Sequence, residues 1–183
     1  MNQSIIRKFL WPFGAFVLFL VLNMIYFSPQ LQGKVMRMGD LEQFKGMAQE
    51  ARAYQDQTGE TALWTNSMFS GMPTYQLTAP QKNNTLKIVR KFFMGFFGGP
   101  IGFFLAAMVS MYILLLILGA GQGVSIIGAI AFGLTTNGMV LFETGHTSKF
   151  MALAFSPLII GGMLLVFKEK WISGLALFSL GLG

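Results

Sequence analysis

Residues 100–118 read PIGFFLAAMVSMYILLLIL, nineteen positions without a charge. That is close to the roughly 20 apolar residues with which an α-helix crosses a hydrocarbon core about 30 Å thick. Apolar side chains fall on every side of such a helix instead of on one stripe, so protein or lipid must cover it all round. Downstream, residues 124–142, 150–167 and 171–183 repeat the pattern, and upstream residues 9–27 form another uncharged run. The sequence therefore predicts five membrane helices. The connector Gly119-Ala120-Gly121-Gln122-Gly123 is too short for anything except a hairpin between antiparallel neighbours. The last run stops after thirteen residues with no polar flank, which predicts an incomplete fifth span and a longer parent protein.

Composition agrees with this reading. The 183 residues are 54% hydrophobic and only 11% charged, with a mean hydropathy of +0.59, whereas soluble domains carry about 25% charged residues. The absence of Cys excludes a disulfide framework, a thiolate zinc site and a cysteine nucleophile. One His and seven carboxylates leave a short catalytic inventory. The thirteen Lys and Arg give a net +6, but they stand in twos and threes beside apolar runs and form no basic face. This pattern predicts membrane lipids as partners and no nucleic acid.

The first run, 9–27, follows Arg7 and Lys8, is longer than a signal-peptide core and precedes no small-residue cleavage site. It reads as an uncleaved anchor with Pro12 in its first turn and Asn23 as the one awkward polar residue. Arg7 and Lys8 share one side by parity with Lys168 and Lys170, which assigns that side, and the N-terminal segment 1–8, to the cytoplasm. The loop 28–99 and the turn after Phe142 then face outward together. That loop holds eight of the thirteen basic and five of the seven acidic residues, a nearly soluble composition. From Gly39-Asp40, the positions Leu41, Phe44, Ala48 and Ala51 recur at helical spacing, closed by Gly59. Residues 63–75, rich in turn formers and aromatics, read as an ordered loop at the membrane surface. Lys87, Arg90 and Lys91 beside Ile88, Phe92 and Phe93 predict a helix lying among headgroups.

Two positions could carry chemistry. Asp40 has the pattern of an N-cap, with Gln43 three residues on; it equally suits a carboxylate held at a membrane surface as a general base or cation ligand. Glu143 directly follows an apolar run, and His146 and Lys149 lie within six residues of it. Charged groups at membrane depth are costly and point to function, while a short hairpin loop needs some polar residue in any case. By parity Asp40 and Glu143 share one membrane face and could line one site. A closed zinc site needs about four ligands and finds too few; a divalent ion held mainly by oxygens, on Asp40 and Glu143, stays open.

The order of one N-terminal span, a Ser28-Pro29-Gln30 exit, Gly39-Asp40, the segment 43–50 and the stretch Leu63-Trp64-Thr65-Asn66-Ser67-Met68-Phe69-Ser70-Gly71-Met72-Pro73 resembles the N-terminal part of YfhO-like bacterial membrane proteins. These are polytopic proteins similar to the GT-C glycosyltransferase superfamily. The resemblance implies an all-α membrane protein, truncated here, with a large first extracytoplasmic loop containing juxtamembrane amphipathic helices. It implies a multi-pass protein of the bacterial cytoplasmic membrane, moving a sugar with inversion from a polyprenyl-phosphate donor to an envelope acceptor on the outer face. Asp40 matches the first-loop acid of that superfamily, as base or acceptor-orienting group. Glu143 matches its second outward acid, facing metal or acceptor. His146 and Lys149 become candidates for the donor phosphate, and Trp64 and Tyr75 for stacking on sugar or packing the loop. A flippase of lipid-linked glycans or a non-enzymatic scaffold are the competing expectations.

Overall fold

The computed structural model describes residues 3–76 and 98–182, the side chains of residues 3–9 and 76 excepted. The described residues are mostly helical, 76%. Helix α1 spans Gln3–Tyr26, followed by a single turn α2 (Ser28–Leu31), then α3 (Gly39–Met47) and α4 (Gln49–Thr58). Two-residue strands β1 (Trp64–Thr65) and β2 (Met72–Pro73) pair antiparallel, Trp64 opposite Pro73 and Thr65 opposite Met72. The remaining helices are α5 (Gly99–Ile117), α6 (Gln122–Gly133), α7 (Thr136–Thr144), α8 (Thr147–Phe167) and α9 (Trp171–Leu182). Among the described residues three segments, Gly99–Ile117, Gln122–Thr144 and Thr147–Phe167, are long and apolar enough to cross a membrane.

The deciding stretch of sequence is the centre of the bundle. Every residue from Pro100 to Met108 is buried, which takes in all sides of more than two turns, and α1, α6 and α8 pack around α5. The outward positions are apolar as well: Phe13, Val17, Val21 and Ile25, one turn apart, form an exposed stripe on α1, and Ile160, Met163 and Phe167 stand out from α8. A bundle apolar inside and outside is compatible with an all-α membrane protein, because lipid accepts side chains that water rejects.

At one end of the bundle five phenylalanines among the described residues, from four helix ends, meet. Phe104 lies 4.8 Å from Phe27 and 4.7 Å from Phe150 between ring centroids; Phe142 lies 5.1 Å from Phe103 and 5.9 Å from Phe150. Gln30 closes the same end. Its Nε2 donates to Gly98 O (2.8 Å) and its Oε1 accepts from Ile101 N (3.2 Å), capping α5 from the exit of α1. At the other end, Lys168 Nζ donates to Ile117 O (2.8 Å). These ties put the α1 exit, the start of α5, the end of α7 and the start of α8 together, as parity requires.

Several local expectations are corrected. The run 124–142 is not one helix: it breaks at Leu134 and Thr135, where Thr135 turns to extended geometry and its Oγ1 accepts from Gly138 N (3.4 Å) to start α7. Adjacent Thr135, Thr136 and Asn137 all favour caps over helix interiors. The amphipathic segment from Gly39 is also two helices, split at buried Ala48, though Gly59 ends it with a left-handed cap (φ 75°) as read. Pro12 falls in the interior of α1, not its first turn. The ordered loop 63–75 contains a β-hairpin of two residue pairs. The segment around Lys87, Arg90 and Lys91 lies outside the described residues.

Asn23 is fully buried between α1 and α5. Its Nδ2 donates to Phe19 O (2.8 Å) and Met108 Sδ (3.3 Å), and its Oδ1 finds no donor among the described residues. Gly133, the last residue of α6, presses on the same Met108, so the buried amide and the helix break are neighbours through one side chain.

Helix α9 lies against α8 with backbones in near contact, the small-residue packing common between helices in lipid. A Cβ on Gly162 would come 2.6 Å from Phe178 N, and one on Gly174 2.8 Å from Val166 N. Gly162→Leu and Gly174→Leu are each expected to lower stability by about 1–3 kcal/mol through overpacking. Gly123→Ala, at an open position, is expected to stay near wild type. Thermal melting of the full chain in detergent checks all three.

Candidate functional site

The site is built where α7 hands over to α8. Gly145 ends α7 in the left-handed region (φ 99°), which reverses the chain and aims His146 back over the first turn of α3. The two backbones are close: a Cβ on Gly145 would sit 3.1 Å from Leu41 N and 3.3 Å from Asp40 Cβ. This approach brings Asp40 and His146 together although about a hundred positions separate them in the sequence. His146 Nε2 lies 3.4 Å from Asp40 Oδ2, with both side chains partly exposed.

Asp40 is not an N-cap. Met38 holds that place without a side-chain bond, and Asp40 stands in the first turn of α3 with Glu42. Its carboxylate is free of capping duty and faces the imidazole. The capping-box pairing with Gln43 is therefore absent.

Glu143, in the last turn of α7, lines a cavity of about 490 Å³ beside this pair. Phe27, Pro100 and Met139 give the cavity apolar lining, and Lys34 and Arg37, from the segment between α2 and α3, line it as well. Arg37 Nε is bound to Glu42 Oε2 at 3.2 Å. Lys149 is exposed in the first turn of α8, one turn from His146. The structure thus brings Asp40 and His146 into contact and sets Glu143 and Lys149 on the flanks of the same turn.

Trp64 lies on β1 and Tyr75 in the turn after β2. The hairpin packs on α4, and the Trp64 indole covers Gly71, where a Cβ would meet Nε1 at 2.8 Å. Trp64 therefore has a packing role, the second of the two expected of it, while its outer face and Tyr75 remain exposed.

The hairpin is held by Glu50, which sequence reasoning missed. The carboxylate accepts from Thr65 Oγ1 (2.5 Å), Ser67 N (2.9 Å) and Asn66 N (3.1 Å). Gln30, Lys34 and Arg37 were likewise not singled out. Their partners are fixed by tertiary placement, and no local pattern marks them.

A divalent ion fits the donor set poorly. Among the described residues no three His, Asp or Glu side chains gather as ligands. Asp40 faces an imidazole and Glu143 a cavity with two cations. Comparison with protein-family models, curated proteins and solved structures gives no match.

The hydrogen bond from Thr65, followed by those from Ser67 and Asn66, holds the Glu50 carboxyl below its usual 4.5. A lowered folded value stabilises the hairpin fully above the ordinary Glu range, and that contribution is lost as pH falls through the folded value. The Glu50 carboxyl followed by NMR is expected to titrate below 4.5. Glu50→Ala is expected to speed amide hydrogen exchange at Asn66 and Ser67 at neutral pH.

Proposed function

We propose that this chain is part of a membrane glycosyltransferase that moves a sugar from a polyprenyl-phosphate donor to an envelope acceptor on the outer face of a bacterial cytoplasmic membrane. In this reading the protein is multi-pass with its N-terminus in the cytoplasm. The observation that carries it is the Asp40–His146 contact, a carboxylate and the only imidazole meeting where apolar helices end. An exposed pair of this kind contributes about 0–1 kcal/mol to stability, too little to account for its placement by folding alone.

In the proposed reaction His146 orients Asp40 through Oδ2, and the other carboxylate oxygen accepts the proton of an acceptor hydroxyl. The acceptor oxygen attacks the anomeric carbon while the bond from that carbon to phosphate oxygen breaks, its electron pair leaving with the polyprenyl phosphate. The configuration at carbon inverts. Lys149, beside the N-terminus of α8, and His146 when protonated offset the charge that develops on the leaving phosphate. Glu143 faces the acceptor side.

Asp40→Asn is expected to reduce transfer by about 10²- to 10⁴-fold, and His146→Gln by less. Membranes containing the protein, supplied with a panel of polyprenyl-phosphate hexoses radiolabelled in the sugar, provide the measurement. Full transfer by Asp40→Asn would sink the assignment.

One observation favours a second reading, a flippase of lipid-linked glycans. A span interrupted at Leu134 and Thr135 beside a buried, half-satisfied Asn23 resembles the broken helices that line transport sites. Under that reading proteoliposomes move the labelled lipid-linked sugar across the bilayer without covalent transfer, and Asn23→Leu abolishes the movement. Under the transferase reading Asn23→Leu raises stability by about 1 kcal/mol, because it removes a buried unpaired acceptor, and leaves transfer intact.

A further inference from the structure

The cavity lined by Glu143 also holds two cations, Lys34 and Arg37, that the proposed sugar transfer does not use. Its lining combines apolar Phe27, Pro100 and Met139 with two cations, Lys34 and Arg37, and one carboxylate, Glu143. Gln30 also lines it, but both ends of its carboxamide are bound to the start of α5, so it acts as a wall. Arg37 uses Nε on Glu42, which leaves its terminal guanidinium nitrogens to donate. Neither Lys34 nor Glu143 is in an ion pair among the described residues.

A simple anion would satisfy the two cations and face a bare carboxylate. A simple cation would satisfy Glu143 and face Lys34 and Arg37. The pattern is matched by a ligand with an anionic phosphate, a primary ammonium and an apolar tail, at the level where the apolar helices end. We infer that this cavity binds the headgroup of a phosphoethanolamine phospholipid, with phosphate on Lys34 and Arg37, ammonium on Glu143, and the first chain carbons over Phe27 and Met139. A phosphatidylcholine lacks the N–H groups to donate to Glu143, and a phosphatidylglycerol lacks the cation altogether. The inference concerns binding alone and stands whether or not a sugar is transferred beside it.

The test titrates the purified full chain in detergent with dihexanoyl phosphatidylethanolamine, phosphatidylglycerol and phosphatidylcholine, and with soluble O-phosphoethanolamine, following bound ligand by native mass spectrometry. The ethanolamine lipid is expected to bind about tenfold more tightly than the other two lipids, the scale of one charge-assisted hydrogen bond, and more tightly than the soluble headgroup. Glu143→Gln is expected to erase the preference over phosphatidylglycerol, and Lys34→Gln combined with Arg37→Gln to weaken both lipids. Unchanged circular dichroism and melting confirm that these variants fold. Equal affinity for the three lipids, or a preference that survives Glu143→Gln, overturns the inference. Soluble headgroup binding as well as the lipid removes the lipid from it. Asp40→Asn is expected to leave lipid binding unchanged, so failure of the transfer reading is visible separately.

Discussion

The phenylalanine cluster at one end of the bundle is the constraint on which the rest depends. Phe27, Phe103, Phe104, Phe142 and Phe150 come from the end of α1, the start of α5, the end of α7 and the start of α8, and their rings meet edge-on or tilted. In lipid, apolar burial by itself does not bring helices together, because the tails are as apolar as the side chains. Close packing and aromatic geometry must do it. Four candidates are within a few residues of one of these rings: Gln30 after Phe27, Glu143 after Phe142, His146 and Lys149 before Phe150. The cluster therefore fixes the positions from which these four project, and Phe27 and Met139 of the cavity lining belong to the same assembly.

How much of this was legible follows from the range of each interaction. The spans were readable because a run such as 100–118 must be covered all round wherever it goes. Parity then placed Asp40 and Glu143 on one face, which the contacts at both ends of α5 support. The partner of Asp40 was not readable: parity put Glu143 on the same face, where the two could line one site, but the left-handed turn at Gly145 presents His146 to Asp40, while Glu143 lines the cavity. A glycine can be foreseen at a helix end, yet which neighbouring side chain it aims depends on one backbone angle. Glu50 was missed for a similar reason. Its three donors are about fifteen residues away on the hairpin, and nothing in the local pattern of α4 separates it from other solvated acids.

The break between α6 and α7 shows a different limit. Hydropathy sums over 124–142 and is blind to backbone continuity, so one polar trio at 135–137 leaves the average apolar while ending the helix. The trio's preference for caps was present in the sequence, but in a soluble helix such preferences are often overridden. In lipid the freed amides have no water to turn to, so a break persists only where side chains answer for it. Thr135 answers for Gly138. Asn23, packed on Met108 at the neighbouring level with a spare acceptor, is a second polar group kept in a place where leucine would pack as well.

Magnitudes decide what the Asp40–His146 contact is for. Both side chains are partly exposed, so their attraction is screened and adds little to the fold. The close approach that holds them is a backbone one, Gly145 against Leu41 and Asp40, and it would exist with other side chains in both positions. Stability therefore explains why the two segments touch and leaves unexplained why a carboxylate and the chain's only imidazole occupy the points of contact. In a protein with seven carboxylates and one histidine, the single imidazole meets one of the seven at this contact. That asymmetry between weak energetic return and specific chemical placement is the strongest physical argument for reading this end of the bundle as a site of chemistry.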